Sequence, residues 1–229
     1  WIDGECVFAN HQSNIQVDPP EPINHFCVHE KSVDDFRVTP ISNQRIRVIE
    51  AHDGLLTTSG TTALPRVVEN NVVSCAQSDV LKLSVVNRYA DSKPAIGFVS
   101  GFGLKEGAIA GSVGHDSHNI LAVGLSDQAI ASAVNSVIKS GGGLSYVNGD
   151  TCETLSLPVA GLMSINSAQQ VAARYQQLDR MTKQHGCRLQ SPYMTLSFLA
   201  LLVIPSLKLS DKGLFDGERF KLVDLFIDE

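Results

Sequence analysis

The chain has 229 residues, 43% of them hydrophobic and 18% charged, which is enough apolar material for a packed core and argues against disorder as the overall state. The formal net charge of −6, with no block of Lys or Arg, argues against a nucleic-acid partner. The longest apolar run, residues 199–205, is far too short to span a membrane, and five cysteines without a C-x-x-C pair fit a reducing, cytoplasmic compartment.

The N-terminal part of the chain differs from the rest. Pro19, Pro20 and Pro22 are three of the nine prolines, and the pattern predicts a bent strand over residues 1–9 followed by an irregular linker over residues 10–35. The sequence starts without Met, a basic segment or an apolar leader, which is typical of the interior of a longer polypeptide.

Regular strand patterns begin at about residue 45. Residues 81–85 alternate apolar side chains with Lys82 and Ser84, which is typical of a half-buried strand. The glycine-rich segment 97–107 matches neither the dinucleotide-binding nor the P-loop motif, so we interpret it as a connection between strands. Short apolar runs bounded by glycine predict inner strands, covered on both faces, at residues 95–99, 107–113 and 120–124.

A helix and a hairpin follow these strands. Ser126 is a good N-cap, and the helix that it begins stops at the three glycines 141–143. Asn148 and Gly149 supply the positive φ angles of a tight turn, so residues 144–147 and 154–159 are predicted to form a hairpin. The helix carries one apolar stripe, made of Ile130, Ala133, Val134, Val137 and Ile138.

Two further helices complete the prediction. One spans residues 167–185, and the other begins at Pro192, is apolar nearly all round and ends at Pro205, so we expect it to be buried. Residues 215–226 are predicted to close the chain with a strand or extended segment. The fold class is therefore α+β: a mixed β-sheet layered with about three helices and preceded by a short β segment and a linker.

The candidate functional site is a cluster of polar side chains at residues 115–119, here called the histidine loop, between two of the predicted inner strands. It consists of His115, Asp116, Ser117, His118 and Asn119, which can donate, accept and transfer protons near neutral pH. The alternative is a structural turn, since Asp, Ser and Asn often bond local backbone. Two histidines, which a turn does not require, on a loop held by buried strands favour a functional site.

The chemistry open to the histidine loop is limited by its spacing. His115 and His118 lack the His-x-His or helical His-x-x-x-His spacing of well-attested metal sites, so we assign no metal ligand to the chain. Neighbouring side chains cannot all point at one substrate atom, which disfavours a Ser-His-Asp triad. Proton transfer or hydrogen bonding to a substrate is the remaining interpretation, with His115, Asp116 and His118 as the acting groups and Ser117 and Asn119 in support.

Several sequence blocks resemble the C-terminal region of bacterial adenine deaminases, which belong to the amidohydrolase superfamily. The resemblance covers roughly residues 36–222, in the order of the family. Its blocks are DVLKLSVVNR at 79–88, GFGLKEGAIA at 101–110, SVGHDSHNI at 112–120, GGGL at 141–144, LPVAGLMS at 157–164, PYMTLSFLAL at 192–201, VIP at 203–205 and LKL at 207–209.

The resemblance implies a hydrolase that converts adenine and water to hypoxanthine and ammonia. In that family a divalent metal (manganese, iron or zinc) activates water for attack on C6 of the purine, and its ligands lie in an N-terminal (β/α)8 barrel that begins with a His-x-His. This sequence contains no His-x-His. The implied metal ligands are therefore absent from the chain, which we expect to be inactive alone, while the histidine loop covers the purine from beside the barrel.

The resemblance also implies a domain division. Residues 1–40 correspond to the end of a small β domain plus a linker, and residues 41–229 to the adenine deaminase C-terminal domain. The expected partners are adenine, the amidohydrolase barrel and, as an open alternative, further copies of the chain in a homo-oligomer. The competing interpretation is a stand-alone, non-catalytic domain for ligand binding or oligomerisation.

Overall fold

The computed structural model describes residues 1–15, 21–115 and 117–228. It contains three α-helices, α1 (Asp127–Lys139), α2 (Ala168–Gln184) and α3 (Pro192–Phe198), in the described residues. The strands are β1 (Phe8–Ala9), β2 (Gln12–Ser13), β3 (Gln44–Ala51), β4 (Thr58–Ala63), β5 (Arg66–Val68), β6 (Asn71–Val73), β7 (Leu81–Val86), β8 (Ala95–Ser100), β9 (Ala108–Gly111), β10 (Ile120–Gly124), β11 (Gly143–Asn148), β12 (Thr151–Ser156), β13 (Leu207–Ser210), β14 (Gly213–Asp216), β15 (Lys221–Leu222) and β16 (Phe226–Asp228). In the described residues, no helix is long and apolar enough to cross a membrane.

A nine-stranded mixed sheet forms the centre of the fold. Its strands lie in the order β12-β11-β9-β10-β7-β8-β3-β16, and β4 also pairs with β3. β3 and β8 are parallel, with Ile49 opposite Val99, whereas β10 pairs antiparallel with both β7 and β9. The predicted α+β class, a mixed sheet layered with three helices, is confirmed.

The sheet is buried on both faces. On one face α1 packs its apolar stripe on small side chains of β9 and β10, among them Ala108, Ala110 and Ala122. On the other face the sheet packs against α2, α3 and the smaller sheet formed by β13, β14 and β15, through Leu178, Leu196 and other side chains. Burying one such Leu or Ile side chain contributes about 1.5–3 kcal/mol, so both layers stabilise the sheet substantially.

Local signals for α1 and the following hairpin are confirmed. The Ser126 side chain accepts a hydrogen bond from the backbone N–H of Ala129, 3.1 Å away, and the helix ends before the predicted glycines. Strands β11 and β12 pair around the Asn148–Gly149 turn. Residues 101–107 of the glycine-rich segment connect β8 to β9, whereas residues 97–100 belong to β8. In the connection, the backbone N–H groups of Gly101 and Gly103 donate to the Asp79 carboxylate.

Three local predictions differ from the structure. β7 is buried along its whole length, because Lys82 enters the α1 face and donates to Asp127 (2.5 Å) and to the Phe36 carbonyl (2.8 Å). α3 ends at Phe198, well before Pro205, and Met194 on it is 52% exposed. Residues 213–228 likewise form three short strands, β14 to β16, where a single closing strand was predicted.

The N-terminal residues make few strands of their own. β1 and β2 form a two-stranded hairpin, and residues 21–32 contain no helix or strand. Val28 and Phe36 are nevertheless buried in the hydrophobic cluster beneath α1. This stretch therefore packs directly on the domain that follows it.

Candidate functional site

The histidine loop connects the central strands β9 and β10. β10 begins at Ile120, which lies opposite Val86 at the end of β7, and both strands are buried in the middle of the sheet. A surface loop positioned by two buried strands is the arrangement expected of a site-bearing loop. The sequence therefore placed the loop correctly between buried strands.

The two histidines are held by different contacts. The backbone N–H of His115 donates to the Ser197 carbonyl of α3 (3.1 Å), and its ring stacks on Phe198 at 4.4 Å between centroids. His118 lies in the left-handed region at φ +54°, and its backbone N–H donates to the Gly114 carbonyl (2.6 Å), which closes the turn. The imidazole centroids are 6.4 Å apart, and both side chains are partly exposed. The structure thus brings the two imidazoles to one surface.

Ser117 and Asn119 connect the loop to the end of β7. The exposed Ser117 offers its carbonyl to the Tyr89 hydroxyl (2.9 Å), and the buried Asn119 side chain accepts from the backbone N–H of Arg88 (3.3 Å). Asp116, the fifth predicted site residue, lies outside the described residues. The role of the cluster in catalysis stays a prediction.

Two further residues shape this site and were not predicted from the sequence. Arg88, 5% exposed, contacts the rings of Phe26 and Tyr89, with its guanidinium carbon 5.1 and 4.8 Å from their centroids. Phe198 supplies the ring on which His115 stacks. Arg88 is the last residue of the sequence block 79–88, and Phe198 lies in a helix that was expected to be buried. Neither residue has a local sequence pattern that predicts contact with the histidine loop.

An exposed apolar face borders the histidine loop. A cavity of about 160 Å³ is lined by Phe198 and by Leu55, Leu56 and Met194, which are 57%, 46% and 52% exposed. Contiguous exposed apolar side chains mark interaction surfaces more often than isolated ones do. His115 therefore lies at the margin of a surface suited to contact with another protein segment.

A buried lysine lies beneath this apolar face. Lys208 on β13 is fully buried, and its Nζ donates to the Leu56 carbonyl (2.8 Å). Burial lowers the pKa of Lys208 from 10.5 to about 8, because desolvation disfavours the charged amine. The lysine thus fixes the backbone of the Leu55–Leu56 segment.

A second apolar cavity lies against α3. The cavity, about 220 Å³, is lined almost wholly by apolar and aromatic side chains and borders the histidine loop through Val113 and Ser197. The lining residues are Val113, Leu144, Leu155, Leu157, Leu162, Val171, Tyr175, Tyr193, Met194 and Ser197. It offers no cluster of polar groups that could direct chemistry.

The described residues do not fit a divalent metal. Within ranges 1–15, 21–115 and 117–228, no group of three or more His, Cys, Asp or Glu side chains comes close enough to hold one. Catalytic zinc sites typically use three protein ligands. The chemistry that this part of the chain offers is hydrogen bonding, stacking and proton transfer by the two imidazoles.

The fold and the loop together define a class: a layered α+β domain that presents two neighbouring histidines beside an exposed apolar surface. A family model described as the adenine deaminase C-terminal domain matches residues 55–221. The chain belongs to the adenine deaminase C-terminal domain family, which confirms the resemblance read from its sequence blocks.

Relatives named adenine deaminase match essentially the whole chain. The protein from Methanosarcina mazei is 42% identical over 240 residues, covering 100% of the chain and 43% of the relative. The protein from Sulfurovum sp. is 49% identical over 224 residues, covering 97% of the chain and 40% of the relative, and that from Salinibacter ruber is 45% identical over 230 residues, covering 100% and 42%. The chain therefore spans about two fifths of the length of these relatives.

Proposed function

We propose that the chain acts as the C-terminal part of an adenine deaminase, which hydrolyses adenine to hypoxanthine and ammonia. The observation that carries this proposal is the match of the whole chain, at 42–45% identity, to relatives named adenine deaminase. The same match disfavours the alternative of a stand-alone, non-catalytic domain. An N-terminal amidohydrolase barrel would supply the divalent metal, manganese, iron or zinc, that activates water in the cytoplasmic enzyme.

In this proposal the histidine loop covers the purine at the mouth of the barrel. His115, Asp116 and His118 line the covered site, and Ser117 and Asn119 support them. Partly exposed imidazoles on a loop anchored to buried strands can donate or accept hydrogen bonds at fixed positions and keep water from the reacting ring. Preorganised donors of this kind typically contribute about 10²–10³ in rate.

The apolar face beside the loop is the surface that we expect to contact the barrel. Leu55, Leu56 and Met194 would be shielded from water there, and each lies within one cavity with Phe198, the ring under His115. Residues 1–40 would then form the end of the small β domain with its linker, and residues 41–229 the covering domain. Further copies of the chain in a homo-oligomer are compatible with this arrangement.

A chimaera tests the proposal. In it, the chain replaces the corresponding 40% of the Sulfurovum relative, and ammonia release from adenine is measured with added Mn²⁺. We expect activity from the chimaera and none from the chain alone. Metal-dependent ammonia release by the chain alone, or an inactive chimaera that is folded and metal-loaded, would contradict the proposal.

Variants of the chimaera test the site. We expect His115→Ala and His118→Ala each to lower kcat by about 100-fold or more, as loss of a positioned donor or proton-transfer group does. His11→Ala, in the exposed β1–β2 turn, is the matched control and should retain activity. Leu55→Asp should also lower activity, whereas Leu64→Asp, at a position 69% exposed away from the lining of that cavity, should not. Unchanged kinetics in the histidine variants would reduce the loop to a structural turn.

A further inference from the structure

An exposed tyrosine, Tyr89, connects the residues that follow β7 to Ser117 of the histidine loop. We propose that Tyr89, held in place by Arg88, is a positioning residue that fixes the loop in the conformation that presents His115 and His118. This inference rests on the proposed function for its catalytic consequence, but its structural part concerns the chain alone.

Antiparallel pairing explains why these residues meet. Because Ile120 lies opposite Val86, the residues that follow β7 must run beside those that precede β10. Asn87 then turns the chain, since its side-chain oxygen accepts from the backbone N–H groups of Tyr89 (2.8 Å) and Ala90 (3.1 Å). The turn directs Tyr89 toward the tip of the histidine loop.

Arg88 is the fixed end of the arrangement. Its Nη1 donates to the Ala160 carbonyl (2.7 Å) and its Nη2 to the Tyr89 hydroxyl (2.9 Å), while its guanidinium carbon lies over the rings of Phe26 and Tyr89. The space for it depends on Gly161, because a Cβ there would lie 2.1 Å from Nη1. A buried, stacked guanidinium with this geometry has little freedom to move.

Tyr89 connects the Arg88 guanidinium to the histidine loop through two hydrogen bonds of its hydroxyl. Its hydroxyl accepts from Arg88 and donates to the Ser117 carbonyl (2.9 Å), and a hydroxyl that accepts from a cation becomes a stronger donor. Ser117 precedes His118, whose φ of +54° is a conformation that non-glycine residues adopt at a cost. The hydrogen bond from Tyr89 to the Ser117 carbonyl favours the left-handed conformation of the neighbouring His118. Because Tyr89 is 44% exposed, water competes for this hydrogen bond.

Hydrogen exchange on the chain itself tests the structural part. Tyr89→Phe keeps the ring over Arg88 and removes only the hydroxyl. We expect amide exchange at residues 117–119 to rise about three- to tenfold, the equivalent of one hydrogen bond, with no change in α1. Tyr175→Phe is the matched control, because the Tyr175 hydroxyl makes no hydrogen bond to a described residue, and it should leave exchange in the loop unchanged. Unaltered loop exchange in Tyr89→Phe would overturn the proposal.

Kinetics of the chimaera test the catalytic part. Tyr89→Phe should lower kcat by about three- to tenfold, following the loss of ordered loop, with the KM for adenine unchanged and the thermal unfolding midpoint lowered by at most about 2–4 °C, the equivalent of one hydrogen bond. A purely structural role would lower the midpoint in the same way but leave kcat per folded enzyme intact, and that result would overturn the assignment of Tyr89 as a positioning residue. If the parent chimaera is inactive, the proposed function fails, while loop exchange still decides whether Tyr89 holds the loop.

Discussion

Lys208 makes a quantitative prediction about alkaline stability. The residue is fully buried on β13, and desolvation lowers its pKa from 10.5 to about 8. Between about pH 8 and pH 10.5 the unfolded chain binds more protons at Lys208 than the folded chain does, so the contribution of Lys208 to the free energy of unfolding becomes less unfavourable as the pH rises. Below about pH 8 its full cost is present, at most about 3 kcal/mol, because one pKa unit corresponds to about 1.4 kcal/mol.

Lys208→Met removes this cost and the bond to the Leu56 carbonyl together. At pH 7 the two effects offset each other, since an unsatisfied buried carbonyl costs about 1–3 kcal/mol. The pH dependence separates them: the free energy of unfolding of the variant, minus that of the parent, should fall by about 2 kcal/mol between pH 7 and pH 9.5. The bond to Leu56 contributes little to that change.

Urea denaturation followed by circular dichroism at the two pH values measures this difference. Buried Cys187 and Tyr193, whose pKa values burial raises to about 11 and beyond the usual range, lower stability in alkali equally in both proteins and cancel. Lys212→Met, at a side chain 73% exposed, is the control and should show no such change. A Lys208→Met difference that is the same at both pH values would refute a buried, desolvated amine.

Two further predictions concern buried contacts. Asp127→Asn should lower the free energy of unfolding, measured by urea denaturation, by about 3–5 kcal/mol, because it leaves the Lys82 ammonium, 1% exposed, without its carboxylate. A loss below about 1 kcal/mol would contradict a buried ion pair. Gly161→Ala should lower the free energy of unfolding by more than the ~1–2 kcal/mol that a left-handed conformation costs a non-glycine residue, and it should raise amide exchange in the histidine loop, because the new Cβ would displace Arg88. Gly149→Ala is the control, since Gly149 has φ +54° with open space around it and should lose only the backbone contribution. Equal losses in the two variants would contradict the clash with Arg88.

Elements with local signals were predictable from the sequence. The Ser126 cap, the apolar stripe and the terminal glycines identified α1, and Asn148 with Gly149 identified the hairpin. The Lys82 side chain was placed on the wrong kind of surface because its partner Asp127 lies 45 residues away. α3 stops early because the Leu199 carbonyl accepts from the backbone N–H of Leu209 on β13, a contact that helix propensity does not report.

The candidate site was predictable to the same extent. The histidine loop stands between two apolar runs in one contiguous segment, so its residues and its rigid setting could be read together. The contribution of Arg88 and Tyr89 could not, because it depends on the pairing of β7 with β10 across 28 residues of sequence. The stacking of His115 on Phe198 depends in the same way on the placement of α3.

The pairing of β3 with β16 has a consequence for biosynthesis. The Gln44 side chain donates to Asp228, a residue 184 positions later, where β16 completes the open flank of β3. During translation β3 emerges long before the strand that protects this flank, and long-range pairings of this kind form slowly and expose unpaired edges. β16 is therefore the last strand of the sheet to be synthesised, and the part of the β3 edge that it covers stays unpaired until residues 226–228 have been translated.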